Sequence, residues 1–232
     1  SKLEDLGLNS WQLRTLFALK KCRTSALGGH IDACDECGNI SISYNSCRNR
    51  HCPKCQGRNR EDWIQTRETE LLPVPYFHVV FTLPEVLNKT ALHEPKMLYD
   101  ILFESAWETL QTFGKNKNLQ MGMIAVLHTW GQNLSLHPHL HCIVPGGGVD
   151  ENGAWKNIKN DGKFLFSVKA LSKVFRAKFC EKLKANLKDK FNENQENEYE
   201  KIRQSLWEKP WVVYAKKPFG SPKSVVEYLG RY

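Results

Sequence analysis

Nowhere in the 232 residues does an unbroken apolar run approach the roughly 18 needed to cross a bilayer as a helix. The opening residues, SKLEDLGLNS, also lack the basic stretch and following apolar stretch of a secretory signal. These two absences predict a soluble chain that is not exported and has no membrane partner. Acidic residues are missing from a further place. From Cys47 to Arg60 the chain carries Arg48, Arg50, Lys54, Arg58 and Arg60 with no Asp or Glu, and from Lys209 onward Lys216, Lys217, Lys223 and Arg231 meet only Glu227. Against an overall balance of 33 basic and 25 acidic side chains, these two clusters point to a polyanionic partner. The 41% hydrophobic share is enough for a real core and excludes a disordered tail.

Apolar spacing predicts the elements. Residues 10–21 read as an amphipathic helix behind a Ser10 cap, and 58–71 as a second helix ended by Pro73 and Pro75. Between them, 28–60 lose helical periodicity and fill with Gly, Cys, Asn and Arg, as in a module held by something other than apolar packing. Strands follow at 76–83, 121–130, 138–145 and 211–215, with 121–130 and 138–145 as an antiparallel hairpin whose second strand is closed by three glycines at 146–148. Helices follow at 95–113, 167–190 and after Ser221-Pro222, and 192–200 read as a solvated connection. The order β-α-β-β-α-β predicts an α+β protein: a helical, zinc-ribbon module over 1–72, then a ferredoxin-like split βαβ domain with an antiparallel sheet over 73–232.

Three constellations carry chemistry. Cys34-x2-Cys37 and Cys52-x2-Cys55 are two turns that each present two thiolates, the spacing of a closed tetrahedral zinc shell. Five of the eight cysteines crowd between Cys34 and Cys55, which favours metal in a reduced compartment over disulfides. His30, Cys47 and His51 are possible substitute or extra ligands, and Cys22 stands farther off. Closed zinc sites supply folding energy, so the module reads as a binding element with Arg48, Arg50, Arg58 and Arg60 as phosphate contacts.

In His137-Pro138-His139-Leu140-His141, strand alternation sends the three imidazoles to one face and Leu140 to the other. Convergent imidazoles make a metal seat with open positions, and Gln132 or His128 could add a third ligand. Tyr228 and Tyr232, four residues apart on the final helix, share one of its faces.

Taken in order, the blocks CRTSALGGH, SCRNRHCPKCQ, ELLPVPYFHVVFTLP, VLHTWGQNLSLHPHLHCIVPGGG, WVVYAKKPFGSP and YLGRY resemble the two-tyrosine HUH transposases of bacterial rolling-circle insertion sequences, the IS91 type. The resemblance covers nearly the whole chain. His139-Leu140-His141 matches the histidine, hydrophobic, histidine motif, Phe81-Thr82-Leu83-Pro84 its companion strand, and Tyr228 and Tyr232 the two nucleophiles. It implies a catalytic Mg2+ or Mn2+ on His139, His141 and Gln132, besides a structural Zn2+. It further implies a metal-dependent transposase and nickase that cleaves single-stranded DNA at insertion-sequence ends through 5′-phosphotyrosine links, with Lys216 and Lys217 near the phosphate. The implied location is the bacterial cytoplasm, on nucleoid DNA. Relatives continue beyond the counterpart of Tyr232, so the chain reads as cut short there. The rival reading is a non-catalytic, zinc-dependent nucleic-acid-binding protein whose histidines are structural.

Overall fold

The computed structural model describes residues 7–131, 135–158, 165–187, 202–216 and 221–230. The chain divides at Thr69 and Glu70 into two compact units. In the first, helix α1 spans Ser10–Lys21. Its cap is Asn9, one residue earlier than the Ser10 expected from the sequence, because Asn9 and Gln12 exchange side-chain and backbone hydrogen bonds as a capping box. A hairpin of β1 (Gly29–Ala33) and β2 (Ile40–Tyr44) follows, then helix α2 (Pro53–Thr69), which starts five residues before the expected 58. Pro53 suits a first helical turn, which needs no N–H from it.

This unit buries very little apolar surface. Its only buried hydrophobic residues among those described are Cys22, Cys52 and Ile64. Two of the three are cysteines. Both strands of the hairpin are exposed almost throughout, including Ile31, Ile40 and Ile42.

The second unit is built on β3 (Tyr76–Thr82), β4 (Ile124–Trp130), β5 (Leu136–Pro145) and β8 (Val213–Lys216), ordered β4-β5-β3-β8 and antiparallel throughout. Two connections carry the long helices α4 (Pro95–Lys115) and α5 (Val168–Leu187), with the short α3 (Asn88–His93) ahead of α4 and α6 at 202–208. This is the split βαβ order expected from the sequence. Three glycines were expected to close β5, but Gly147 and Gly148 instead continue as β6 (Gly147–Val149) against β7 (Trp155–Asn157). A Cβ on Gly148 would lie 2.5 Å from the Gln120 carbonyl oxygen, so no larger residue fits there.

One face of the sheet is dry. Phe77, Val79 and Phe81 of β3 and Leu140, Cys142 and Val144 of β5 point into the core shared with α4 and α5. Phe175 is fully buried at its centre, with ring centroids 4.9 Å from Phe81 and 5.3 Å from Trp211. Phe175→Ala should lower stability by about 3–5 kcal/mol, read as a reduced urea midpoint with an unchanged slope. Lys182 reaches Glu104 at 3.1 Å and Glu108 at 2.8 Å, tying α5 to α4 at the solvent margin. The opposite face of the sheet, by strand alternation, carries His78, Val80, Val126, His128, His139, His141, Tyr214 and Lys216.

Candidate metal centres and nucleophile

In the first unit the thiols of Cys22, Cys47, Cys52 and Cys55 gather within 4.8 Å of one another. Cys22 Sγ and Cys47 Sγ lie 3.4 and 3.6 Å from Cys55 Sγ. A disulfide would need about 2.05 Å. Four sulfurs tetrahedral about zinc at about 2.3 Å stand about 3.8 Å apart, which the observed spacing resembles closely.

The backbone is shaped for these thiolates. Cys22 ends α1, Cys47 follows β2, and Cys52 and Cys55 sit at the start of α2. Arg23 and Arg48, each directly after a cysteine of the cluster, adopt the left-handed region at φ 55° and 51°. Such a turn strains a residue that has a Cβ. The turn at Arg48 aims amide donors at sulfur, the Asn49 N–H at Cys47 and the Arg48 N–H at Cys55, and the Cys47 N–H donates to Cys22 Sγ at 3.4 Å. Burial works against ionising Cys55, yet the thiols of Cys22, Cys47 and Cys52 outweigh it and draw Cys55 down to about 6. Cys47 is pushed up to about 12: the Asn49 amide favours its thiolate, but burial and the neighbouring thiols prevail. Four thiolates in so small a space need a cation, and the donor set suits zinc.

The quartet expected from spacing, Cys34, Cys37, Cys52 and Cys55, is therefore not the one the fold assembles. Cys34 and Cys37 are exposed on the turn that joins β1 to β2, outside the cluster. That turn puts them at the far end of a five-residue hairpin, and the places go to Cys22 and Cys47. His30 sits 3.6 Å from Asp32, and the His51 ring packs edge-on against Trp11, so neither enters the shell. Arg48, Arg50, Arg58 and Arg60 are all exposed, Arg58 at 3.9 Å from Asp62 on α2.

In the second unit His128, His139 and His141 place one nitrogen each within 4.8 Å of the others. The strand register explains the grouping. His128 of β4 pairs directly with His139 of β5, and His141 lies two residues on along the same face. His139 Nε2 and His141 Nε2 are 3.1 Å apart. His139 Nδ1 lies 2.6 Å from the His137 carbonyl oxygen, which can only accept, so Nδ1 carries the proton and Nε2 keeps a lone pair for the centre. Burial, then the neighbouring imidazoles, holds His141 down to about 3 and His128 down to about 4. His139 is lowered as well, again mainly by burial. Neutral imidazoles converging on one point are the form that binds a divalent cation.

His137, expected to join its two neighbours, instead contributes its carbonyl, and its exposed ring stays outside the cluster. Gln132, expected as third ligand, lies outside the described residues, and His128 stands where a third donor is needed. Sequence reasoning passed over His78, whose Nε2 is 2.7 Å from His141 Nδ1. The period-two pattern of YFHVVFT was the available signal, since it sends His78 away from the core side chains Phe77 and Val79.

Helix α7 (Pro222–Leu229) packs against β5. Ser221 caps it by accepting from the Ser224 N–H, Pro222 fills its first turn, and buried Val225, Val226 and Leu229 anchor it. Tyr228 remains 43% exposed, with its ring centroid 6.4 Å from that of His141. Tyr232 and Lys217 lie outside the described residues, and Lys216 is exposed opposite His78 in the β3–β8 register. A cavity of about 650 Å³ opens at the Thr82 end of β3 and the His137 end of β5, lined in part by Asn88 and Trp211.

Known proteins match both halves of this layout. Residues 2–83 match the family model described as "Transposase zinc-binding domain", and residues 122–232 the one described as "Putative transposase". Over 242 residues the chain is 43% identical to "Putative transposase y4qJ" of Sinorhizobium fredii, using all of this chain and 61% of that protein. It is 35% identical over 158 residues to the transposase for insertion sequence element IS801 of Pseudomonas savastanoi pv. phaseolicola, using 67% of this chain and 38% of that one. The chain belongs to the IS91-type transposases. It thus spans less than two thirds of the length of either relative. Among solved structures, the conjugative relaxase TrwC in complex with mutant OriT DNA aligns at 13% identity and a TM-score of 0.36, over 47% of this chain and 44% of that one. No helix among the described residues is long and apolar enough to cross a membrane.

Proposed function

We propose that the chain is a metal-dependent DNA strand transferase, in which Tyr228, and Tyr232 four residues later in the sequence, are the nucleophiles at a seat made by His128, His139 and His141. The carrying observation is the approach of the Tyr228 ring to His141, 6.4 Å between centroids, on the one sheet face that also holds the other two imidazoles. A divalent ion bound there would withdraw charge from a non-bridging phosphate oxygen of single-stranded DNA and make the phosphorus a better electrophile. The chain's own groups do the rest. The phenol oxygen attacks phosphorus, the bond to the 3′ oxygen breaks, the phenol proton leaves to solvent, and the 3′ oxygen takes up a proton as a free hydroxyl. The 5′ phosphate remains ester-linked to tyrosine, so the energy of the broken bond is kept. Attack by a 3′-hydroxyl then reverses the step and joins a strand without a nucleotide cofactor. A second tyrosine would allow a second strand to be held before the first is released.

In this reading the first unit, clamped by zinc on Cys22, Cys47, Cys52 and Cys55, supplies DNA contacts through Arg48, Arg50, Arg58 and Arg60, and Lys216 and Lys217 steady phosphate near the nucleophile. Imidazole ligands also accept zinc, whereas phosphoryl transfer calls for Mg2+ or Mn2+ as the working ion. Incubation with single-stranded DNA from an insertion-sequence end and Mn2+ should yield an adduct that survives SDS. The Tyr228→Phe, Tyr232→Phe double variant should yield none. An adduct of undiminished yield in that variant would remove the tyrosines from the mechanism.

A further inference from the structure

We propose that His78 is the positioning residue of the imidazole site, accepting the Nδ1 proton of His141 and so holding the Nε2 lone pair of His141 toward the point shared with His128 and His139. This rests on the reading of those three residues as a metal seat.

The geometry is that of an in-plane hydrogen bond. His78 Nε2 and His141 Nδ1 are 2.7 Å apart, the two rings are tilted by only 16°, and their centroids are 5.0 Å apart. Two imidazoles joined edge to edge by a hydrogen bond have this separation and shared plane. The contact is set by register. His141 pairs with Val80 across the β3–β5 ladder, so His78 is its diagonal neighbour on the same face, within reach of a ring but not of a shorter side chain.

The tautomers follow by exclusion. His139 is protonated on Nδ1, because its partner there is a carbonyl, and it presents Nε2 to His141 Nε2 at 3.1 Å. For His141 to offer a lone pair at Nε2 as well, its proton must sit on Nδ1, and among the described residues the ring nitrogen facing Nδ1 at hydrogen-bond distance is His78 Nε2. His78 therefore accepts and carries its own proton on Nδ1. Its nitrogens fall outside the three-imidazole cluster, so it acts through His141 and is not a ligand. Histidine ligands are commonly fixed by such a partner, and losing it costs about 10–100-fold in metal affinity.

The test uses Mn2+ alone as the probe, titrated calorimetrically into the metal-stripped, zinc-repleted chain. His78→Leu should weaken Mn2+ binding by about 10–100-fold. His78→Gln, whose side-chain oxygen reaches about as far as Nε2 and can accept the same proton, should return affinity to within about threefold of the parent. Co2+ absorption should shift in the Leu variant and not in the Gln variant. Equal affinity in His78→Leu and the parent overturns the proposal, and so does a His78→Gln variant as weak as the Leu one, since that pattern marks a packing role. His141→Ala is the control for the underlying reading: if it leaves Mn2+ affinity unchanged, the metal seat itself is wrong, whatever His78 does.

Discussion

Stripping zinc from this chain should unfold residues 7–69 while leaving the four-stranded sheet of the second unit folded. The expectation follows from what each unit buries. The second has a contiguous core in which Phe81, Leu102, Leu140, Phe175 and Leu183 are fully or almost fully removed from water. Among its described residues the first offers Ile64 and two cysteines of its own thiol cluster, and the apolar side chains of its hairpin face solvent. Backbone ordering costs about 1–2 kcal/mol per residue, which one buried isoleucine at about 1.5–3 kcal/mol does not begin to offset. Structural zinc in small finger peptides contributes about 10–16 kcal/mol, a term of the right size. Limited proteolysis after treatment with a strong chelator should therefore cut within 7–69 and spare the sheet, with readdition of Zn2+ restoring protection. Cys22→Ser and Cys47→Ser should show the same cutting without chelator. Cys34→Ser with Cys37→Ser should keep both the bound zinc and the protection. Loss of zinc from that last variant, with Cys22→Ser unaffected, would restore the quartet that spacing suggested.

That quartet shows where a sequence stops being informative. Two Cys-x2-Cys turns announce thiolates close together, and within each turn they are, but the two turns do not meet each other. Which turns meet depends on the path between them. A hairpin from Gly29 to Tyr44 carries Cys34 and Cys37 out to its tip and returns the chain beside its start, where the Asn45 N–H donates to the Gly28 carbonyl at 3.0 Å. That closure leaves Cys47 near Cys22, 25 residues away in sequence, and no local pattern encodes it. In the second unit more was legible. The alternation of β5 placed His139 and His141 on one face and Leu140 in the core, and the element order carried the sheet topology. His78 and His128 needed more than alternation, because their approach to His141 and His139 depends on cross-strand register. The phenol on α7 was visible as a helical position, but its approach to His141 follows from Val225, Val226 and Leu229 seating the helix on the sheet.

The register of β4 against β5 sets one of two candidate third ligands, His128, directly beside His139, and the effect expected of removing it is large. His128→Ala should reduce Mn2+ affinity and metal-dependent cleavage by more than about 100-fold, whereas Gln132→Ala should change either by only a few-fold. Partner residues one step removed from a metal already cost about 10–100-fold, so a ligand should cost at least the upper end of that range. His128 is 5% exposed, pairs directly with His139, and has its ring centroid 4.3 Å from that of His141. Burial holds this imidazole neutral, the form that offers a lone pair to a cation. His128→Leu extends the test, because it fills the same space without a donor nitrogen: retained melting temperature with lost Mn2+ affinity assigns the ring to the metal. Retained affinity in both His128 variants, with collapse in Gln132→Ala, would transfer the third position to Gln132.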